Sequence, residues 1–300
     1  MPISTSPADP APLYRSPAGY AALQAHYEAA LARGPVPYTS RWVETRFGRT
    51  HVVVGGPAAG PPVVVFHGWN SHAAGAGADF PFLFDAYRVY LPDIIGQAGR
   101  SAPTRPDTAG PAYAEWAVQV LDGLGLAHVR LVGISGGGWL ALKLAGFAPH
   151  RVTRVLAVSS AGLSPLNVRG ALRGMLPLAV CPNAVTARWF VKFAAAPHTA
   201  RSPLGQALAG FMALLLRHFK TQANPGQLTE AELHRITAPV LLLIGEHERL
   251  FHPHIMAGRA RRLIPNLVAA EVIPNAGHLL PADQPEVLKR HALAFLRAEP

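Results

Sequence analysis

The sequence predicts an α/β protein: a mostly parallel central sheet with helices on both faces, interrupted by a helical insertion. Three observations predict it. Short continuous apolar runs alternate with helix-like segments, the pattern of strands buried on both faces. The alternation stops near residue 161 and resumes after about residue 227, with no clear strand between. And Gly133-Ile134-Ser135-Gly136-Gly137 stands where one apolar run gives way to a helix-like one.

The chain of 300 residues is half hydrophobic and only 15% charged, which supplies a sizeable core and argues against disorder. We divide it into an N-terminal extension with a helix (1–38), an α/β core in two parts (39–160 and 227–300) and a helical lid (161–226). Residues 1–10 lack the basic start and apolar run of a signal peptide. Residues 14–31 contain a helix-like piece, ended by Gly34-Pro35. The alternation over 41–47, the turn at Gly48-Arg49-Thr50 and the run 51–54 read as a β-hairpin, an antiparallel edge to the sheet. Strands follow at 63–66, 87–91, 129–134 and 152–159, and helices at 112–124 and 136–147.

Residues 163–193 and 204–220 look helical, and Thr229-Glu230-Ala231-Glu232 is a capping box for a short helix. A strand at 239–244, a helix at 255–263, a strand at 268–273 and a helix at 285–296 complete the chain. A helical insertion between two parallel strands covers the carboxyl ends of the sheet, where open α/β sheets bind ligands.

Composition narrows the function. The single cysteine, Cys181, excludes an intrachain disulfide and reads as a buried small apolar residue. The formal charge is +10, but the basic residues are scattered. Only Arg259, Arg261 and Arg262 cluster, at helical spacing on a solvated face, so no nucleic-acid partner is expected. The longest apolar run, near 207–216, is too short to span a membrane. A soluble cytoplasmic protein is the expectation.

A serine between glycines at a strand-to-helix turn is a nucleophile elbow. The tight turn needs small neighbours and lifts the hydroxyl clear of the sheet. The hydroxyl needs a histidine base and a carboxylate to orient that base, following it in chain order. Among 14 histidines, His278 has the right position, in the small-residue turn Pro274-Asn275-Ala276-Gly277-His278 after the last strand. The acid lies after the preceding strand, in Gly245-Glu246-His247-Glu248, with Glu248 favoured and Glu246 the alternative. His247, His252 and His254 lack the spacing of a helical zinc pair, so no metal is expected. The oxyanion hole takes one N–H from Gly136 and the other from Trp69, in His67-Gly68-Trp69-Asn70 after the first parallel strand.

With these residues the chain resembles the α/β-hydrolase family over nearly its whole length, in its lidded serine hydrolase branch. The resemblance rests on His67-Gly68-Trp69, on Asp93-Ile94-Ile95-Gly96-Gln97-Ala98-Gly99-Arg100-Ser101, on Gly133–Gly137, on Gly245-Glu246-His247-Glu248 and on Ala276-Gly277-His278. It departs from the family where Glu248 replaces the commoner aspartate and where the 93–101 loop spaces its glycines G-x-x-G. Dehalogenases and epoxide hydrolases of this fold carry aspartate at the elbow, against which Ser135 argues. The resemblance implies a cofactor-free, carboxylesterase-like hydrolase acting on a partly apolar small-molecule ester. A ligand-sensing homologue with slow turnover, and a perhydrolase or C–C lyase on the same site, are the alternatives. The lid's basic residues, interleaved with Trp189, Phe190, Phe193, Phe211 and Met212, suit either an acyl chain with a nearby anionic group or an apolar packing face with arginines in solvent.

Overall fold

A computed structural model describes residues 11–34 and 36–298. Its strands are Thr39–Val43 (β1), Thr50–Gly55 (β2), Pro62–Phe66 (β3), Arg88–Pro92 (β4), Val129–Ile134 (β5), Val152–Val158 (β6), Val240–Gly245 (β7) and Leu267–Ile273 (β8). They form one sheet in the order β1-β2-β4-β3-β5-β6-β7-β8. Strand β2 runs antiparallel to both neighbours, and all pairs from β4 to β8 are parallel. The hairpin expected over 41–54 is the β1–β2 pair. Phe66 pairs with Gly133, and Gly133 with Ala157, so β3, β5 and β6 end level with one another.

The helices are Pro17–Ala32 (α1), Ala73–Asp79 (α2), Ala112–Gly123 (α3), Gly136–Phe147 (α4), Val168–Val180 (α5), Ala184–Ala194 (α6), Pro197–Arg201 (α7), Pro203–His218 (α8), Glu230–His234 (α9), Pro253–Leu263 (α10), Leu280–Asp283 (α11) and Pro285–Arg297 (α12). Successive strand residues point to opposite faces, and both faces are buried. Val64 and Phe66 join the core built with α3, α4 and α10, while Val63 and Val65 join the core built with α2 and α12. Continuous apolar strands follow directly from this double burial.

Four features differ from the sequence expectations. The helix read over 163–193 is two helices, because Pro182 lacks an N–H and Asn183 starts α6 through a capping box with Thr186. Helix α2 was not anticipated: its sequence, AAGAGAD, carries no apolar period, and its cap is a histidine side chain, His72, accepting from Gly75 N. Cys181 is exposed rather than buried, since it sits at the C-terminal cap of α5 in the turn between two surface helices. Arg259 is half-buried rather than solvated, and its guanidinium donates to Gln227 Oε1 and Leu228 O. The leader reading of residues 1–10, and Pro35 in the predicted helix stop, lie outside the described residues.

Candidate active site

Ser135 occupies the turn between β5 and α4 with φ 54° and ψ −118°, a backbone conformation that non-glycine residues adopt only under constraint. The constraint is visible. Ser135 N donates to Val158 O at 2.9 Å, and Ser135 O accepts from Ala161 N at 3.0 Å and Trp139 N at 3.1 Å. The flanking glycines are sterically required. A Cβ on Gly133 would lie 2.3 Å from Gly137 O, and one on Gly137 would lie 2.1 Å from Phe66 O.

His278 follows β8 and Glu248 follows β7, so both reach the same sheet edge as Ser135. His278 Nε2 lies 3.0 Å from Ser135 Oγ, and His278 Nδ1 lies 2.6 Å from Glu248 Oε2. The other carboxylate oxygen, Oε1, accepts from Leu250 N at 2.8 Å and Phe251 N at 3.3 Å. These bonds satisfy the second oxygen of the buried carboxyl group. Glutamate's longer arm therefore reaches the imidazole. Glu246 does not: it is exposed and accepts from Asn275 N at 3.1 Å.

Gly136 and Trp69 lie against each other. A Cβ on Gly136 would sit 2.7 Å from Trp69 Cβ and 3.1 Å from Trp69 N. Gly136 is the first residue of α4, whose opening N–H groups have no intrahelical acceptor. The Trp69 indole donates to Ala223 O at 2.9 Å, and its ring meets Tyr113 and Trp139 edge-on. His67 supports the same loop in one tautomer: Nδ1–H donates to Gly68 O at 2.8 Å and Nε2 accepts from Ile94 N at 3.0 Å. Burial pushes the His67 ring down from its ordinary pKa, against Asp93 and the Gly68 hydrogen bond, which favours the neutral form those bonds require.

Four polar side chains that hold this arrangement have no role assigned from the sequence, although Asn70, Asp93 and Gln97 fall within the loops it singles out. Asn70, at φ 57°, exchanges two hydrogen bonds with the Gln222 backbone, at 3.0 and 2.8 Å. Gln97 accepts from Asn70 N at 2.7 Å and donates to Gln222 Oε1 at 2.9 Å. The G-x-x-G loop thus keeps its place through the Gln97 side chain. Asp93 accepts from Ala73 N, Tyr27 Oη and Arg100 N and faces His51 Nδ1 at 2.9 Å. Burial works to raise the Asp93 carboxyl, but His51, His67 and the Ala73 N–H hold it well below the usual carboxylate range.

Asp283 is the fourth. It is buried, and its two oxygens accept from Ala196 N at 2.9 Å and Gly277 N at 2.7 Å. His278 N also donates to Ala194 O at 2.7 Å. The residue before His278, and His278 itself, are therefore tied to the α6–α7 junction. The available signal was an acidic residue between prolines five positions after His278, but no local pattern gives its partners.

Among the described residues, no three His, Cys, Asp or Glu side chains converge as metal ligands, and no helix is long and apolar enough to cross a membrane. Chemically, the arrangement offers a hydroxyl whose proton can pass to an imidazole, a carboxylate that stabilises the resulting imidazolium, and two neighbouring backbone N–H groups.

Comparisons with known proteins agree with this fold. The family model described as "Alpha/beta hydrolase family" matches residues 63–290. The chain is 32% identical over 279 residues to carboxylesterase YbfK of Bacillus subtilis, covering 90% of this chain and 92% of that one. It is similar to that protein's crystal structure, titled carboxylesterase CesB, with a TM-score of 0.79 and 29% identity over 94% of this chain and 100% of that one. The crystal structure of naproxen esterase from Bacillus subtilis matches with a TM-score of 0.78 and 28% identity over 92% of this chain and 97% of that one. An elbow serine in strained backbone, a sheet with one reversed strand and a family match across three quarters of the sequence have a single explanation: the chain belongs to the α/β hydrolase family.

Proposed function

We propose that this protein is a carboxylic ester hydrolase with a Ser135–His278–Glu248 triad and an acyl-enzyme intermediate. The observation that carries the reading is the continuous line from Ser135 Oγ through both His278 nitrogens to Glu248, at 3.0 and 2.6 Å. His278 takes the Ser135 proton as Oγ attacks the ester carbonyl. Gly136 and Trp69 N–H groups receive the developing oxyanion, a contribution of about 3–4 kcal/mol for a donor of this kind. Protonated His278 then donates to the leaving alkoxide. Water repeats the sequence on the acyl-enzyme and frees Ser135. Protein groups and water suffice for each step.

Helices α5–α8 serve as the lid over this site, and the ester is a small, partly apolar molecule. The similarity to a carboxylesterase and to naproxen esterase supports the substrate class. Of the lid's interleaved apolar residues, Phe190 is buried, Phe193, Phe211 and Met212 are half-buried and Trp189 is exposed, while its arginines are exposed, so four of the five favour apolar packing over an anion-binding pocket.

The test is fluorophosphonate labelling of the wild type beside Ser135→Ala, with p-nitrophenyl esters of increasing acyl length. We expect labelling of the wild type alone and a fall in kcat of about 10⁶-fold in the variant. Undiminished turnover by Ser135→Ala, or a folded wild type that resists labelling, overturns the proposal.

A further inference from the structure

Helix α5 reverses the usual order of an amphipathic surface helix, which turns its apolar stripe inward. On α5 the inward positions are Gly170, Gly174 and Leu178, and the outward ones include Val168, Leu172, Leu176 and Val180. Val185 and Trp189 of α6 continue the outward apolar face. Leu172 is 53% exposed, Val185 73% and Trp189 54%. Packing explains the inversion: α5 needs small residues inward, because a Cβ on Gly174 would meet the Phe193 ring at 2.2 Å and one on Gly170 would meet Arg249 O at 2.2 Å. Seven of the thirteen exposed large apolar side chains among the described residues fall within these two helices, which makes this a patch rather than scatter.

Charge identifies what covers it. Arg169, Arg173, Arg188 and Lys192 are exposed around the face, and residues 161–229 contain no aspartate or glutamate. A second copy docking through the same face would bring these cations together across the two-fold axis. An anionic bilayer answers both features, since leucine and tryptophan enter the headgroup boundary while arginine and lysine meet lipid phosphates.

We propose that the α5–α6 face docks this protein onto anionic lipid bilayers. The Trp189 indole N–H donates to Arg173 O at 2.8 Å, joining the two helices into one rigid platform. The platform's far end holds the site: α6 ends at Ala194, whose carbonyl binds His278 N. Docking thus brings lipid-dissolved esters to the lid. Binding itself does not depend on whether esters are the substrate.

The experiment is co-sedimentation with vesicles of phosphatidylglycerol and phosphatidylcholine, against vesicles of phosphatidylcholine alone. Each basic residue at the surface contributes on the order of fivefold in partitioning, so binding should be strong on the anionic vesicles and fall steeply with salt. Leu172→Ser with Leu176→Ser should weaken it at least about tenfold while leaving hydrolysis of a water-soluble short-chain ester unchanged. Tryptophan emission should shift to the blue on anionic vesicles, and Trp189→Phe should remove that shift. Equal binding to both vesicle types, or no loss in the leucine variant, overturns the proposal. So does a wild-type dimer in sedimentation velocity that the leucine variant dissolves, since the face would then belong to a second copy.

Discussion

The two halves of the candidate site are held by different means. The Ser135 half rests on the sheet: its turn is fixed by Val158 O, by close backbone packing at Gly133 and Gly137, and by strands buried on both faces. The His278 half rests on the insertion. His278 N binds Ala194 O, Asp283 bridges Gly277 N and Ala196 N, and Asn167 N donates to Leu250 O beside the acid loop. The first half is set by main-chain sterics, which scarcely deform. The second is set by a few hydrogen bonds to surface helices whose outer face is bare. The Ser135 turn is thus held by backbone packing and the His278 loop by hydrogen bonds to the insertion.

Glu248 offers the largest effect with which to sharpen the contrast. On the proposed mechanism, Glu248→Gln keeps the shape but removes the carboxylate assigned to the imidazolium, and kcat should fall about 10⁴-fold. Glu246→Gln should leave kcat within about twofold, because an exposed carboxylate screened by water contributes little. Equal losses in the two variants would return the acid to an open choice.

Gly137→Ala probes the sheet-held half. Its Cβ would lie 2.1 Å from Phe66 O, so the elbow or β3 must shift. We expect a loss above about 3 kcal/mol in urea unfolding. A variant as stable as the wild type would show that the elbow can relax, and the claimed rigidity would fail.

Asp283→Asn probes the insertion-held half. One amide oxygen replaces two carboxylate oxygens, and the new NH₂ faces a backbone N–H. Leaving one buried donor unsatisfied costs about 1–3 kcal/mol. Most of the penalty should appear at His278, as a drop in kcat of roughly 10- to 100-fold at nearly constant KM. A folded variant with wild-type kcat would mean that Ala194 O alone places the histidine.

The smallest effect is pH-dependent. His72 caps α2, and burial pushes its ring down to about 3 from 6.5, against the Asp93 charge, which works to raise it. The unfolded chain binds this proton between those values and the folded chain does not. Stability therefore falls as pH drops through that window, by about 1.4 kcal/mol per pH unit for this group. His72→Asn keeps an acceptor for Gly75 N but cannot titrate. Urea unfolding at pH 6 and pH 4 should show a shallower dependence in the variant, and parallel wild-type and variant slopes would exclude His72 as a source.

Legibility in the sequence followed the same division. The strands from β3 to β7 were readable because burial on both faces leaves nearly unbroken apolar runs, as in Val63–Phe66 and Val240–Ile244. The elbow was readable because its steric demand falls on adjacent residues. Helix α2 was not, since glycine and alanine give no period and its cap is a histidine. The break at Pro182 is masked in the sequence by the apolar residues on either side.

The amino-acid sequence by itself determined the order of the strands, the elbow turn at Ser135 and the loops that could carry its partners. These are local properties: apolar period, turn sterics and capping act within a few residues. Only the tertiary structure decided which glutamate faces His278, that Asn70, Gln97 and Gln222 lock the Trp69 loop, that Asp283 ties the histidine loop to the insertion, and that α5 carries its apolar face outward. Each of these depends on groups far apart in the chain meeting at hydrogen-bond or van der Waals distance. That proximity is set by how the helices pack, and no local pattern encodes it.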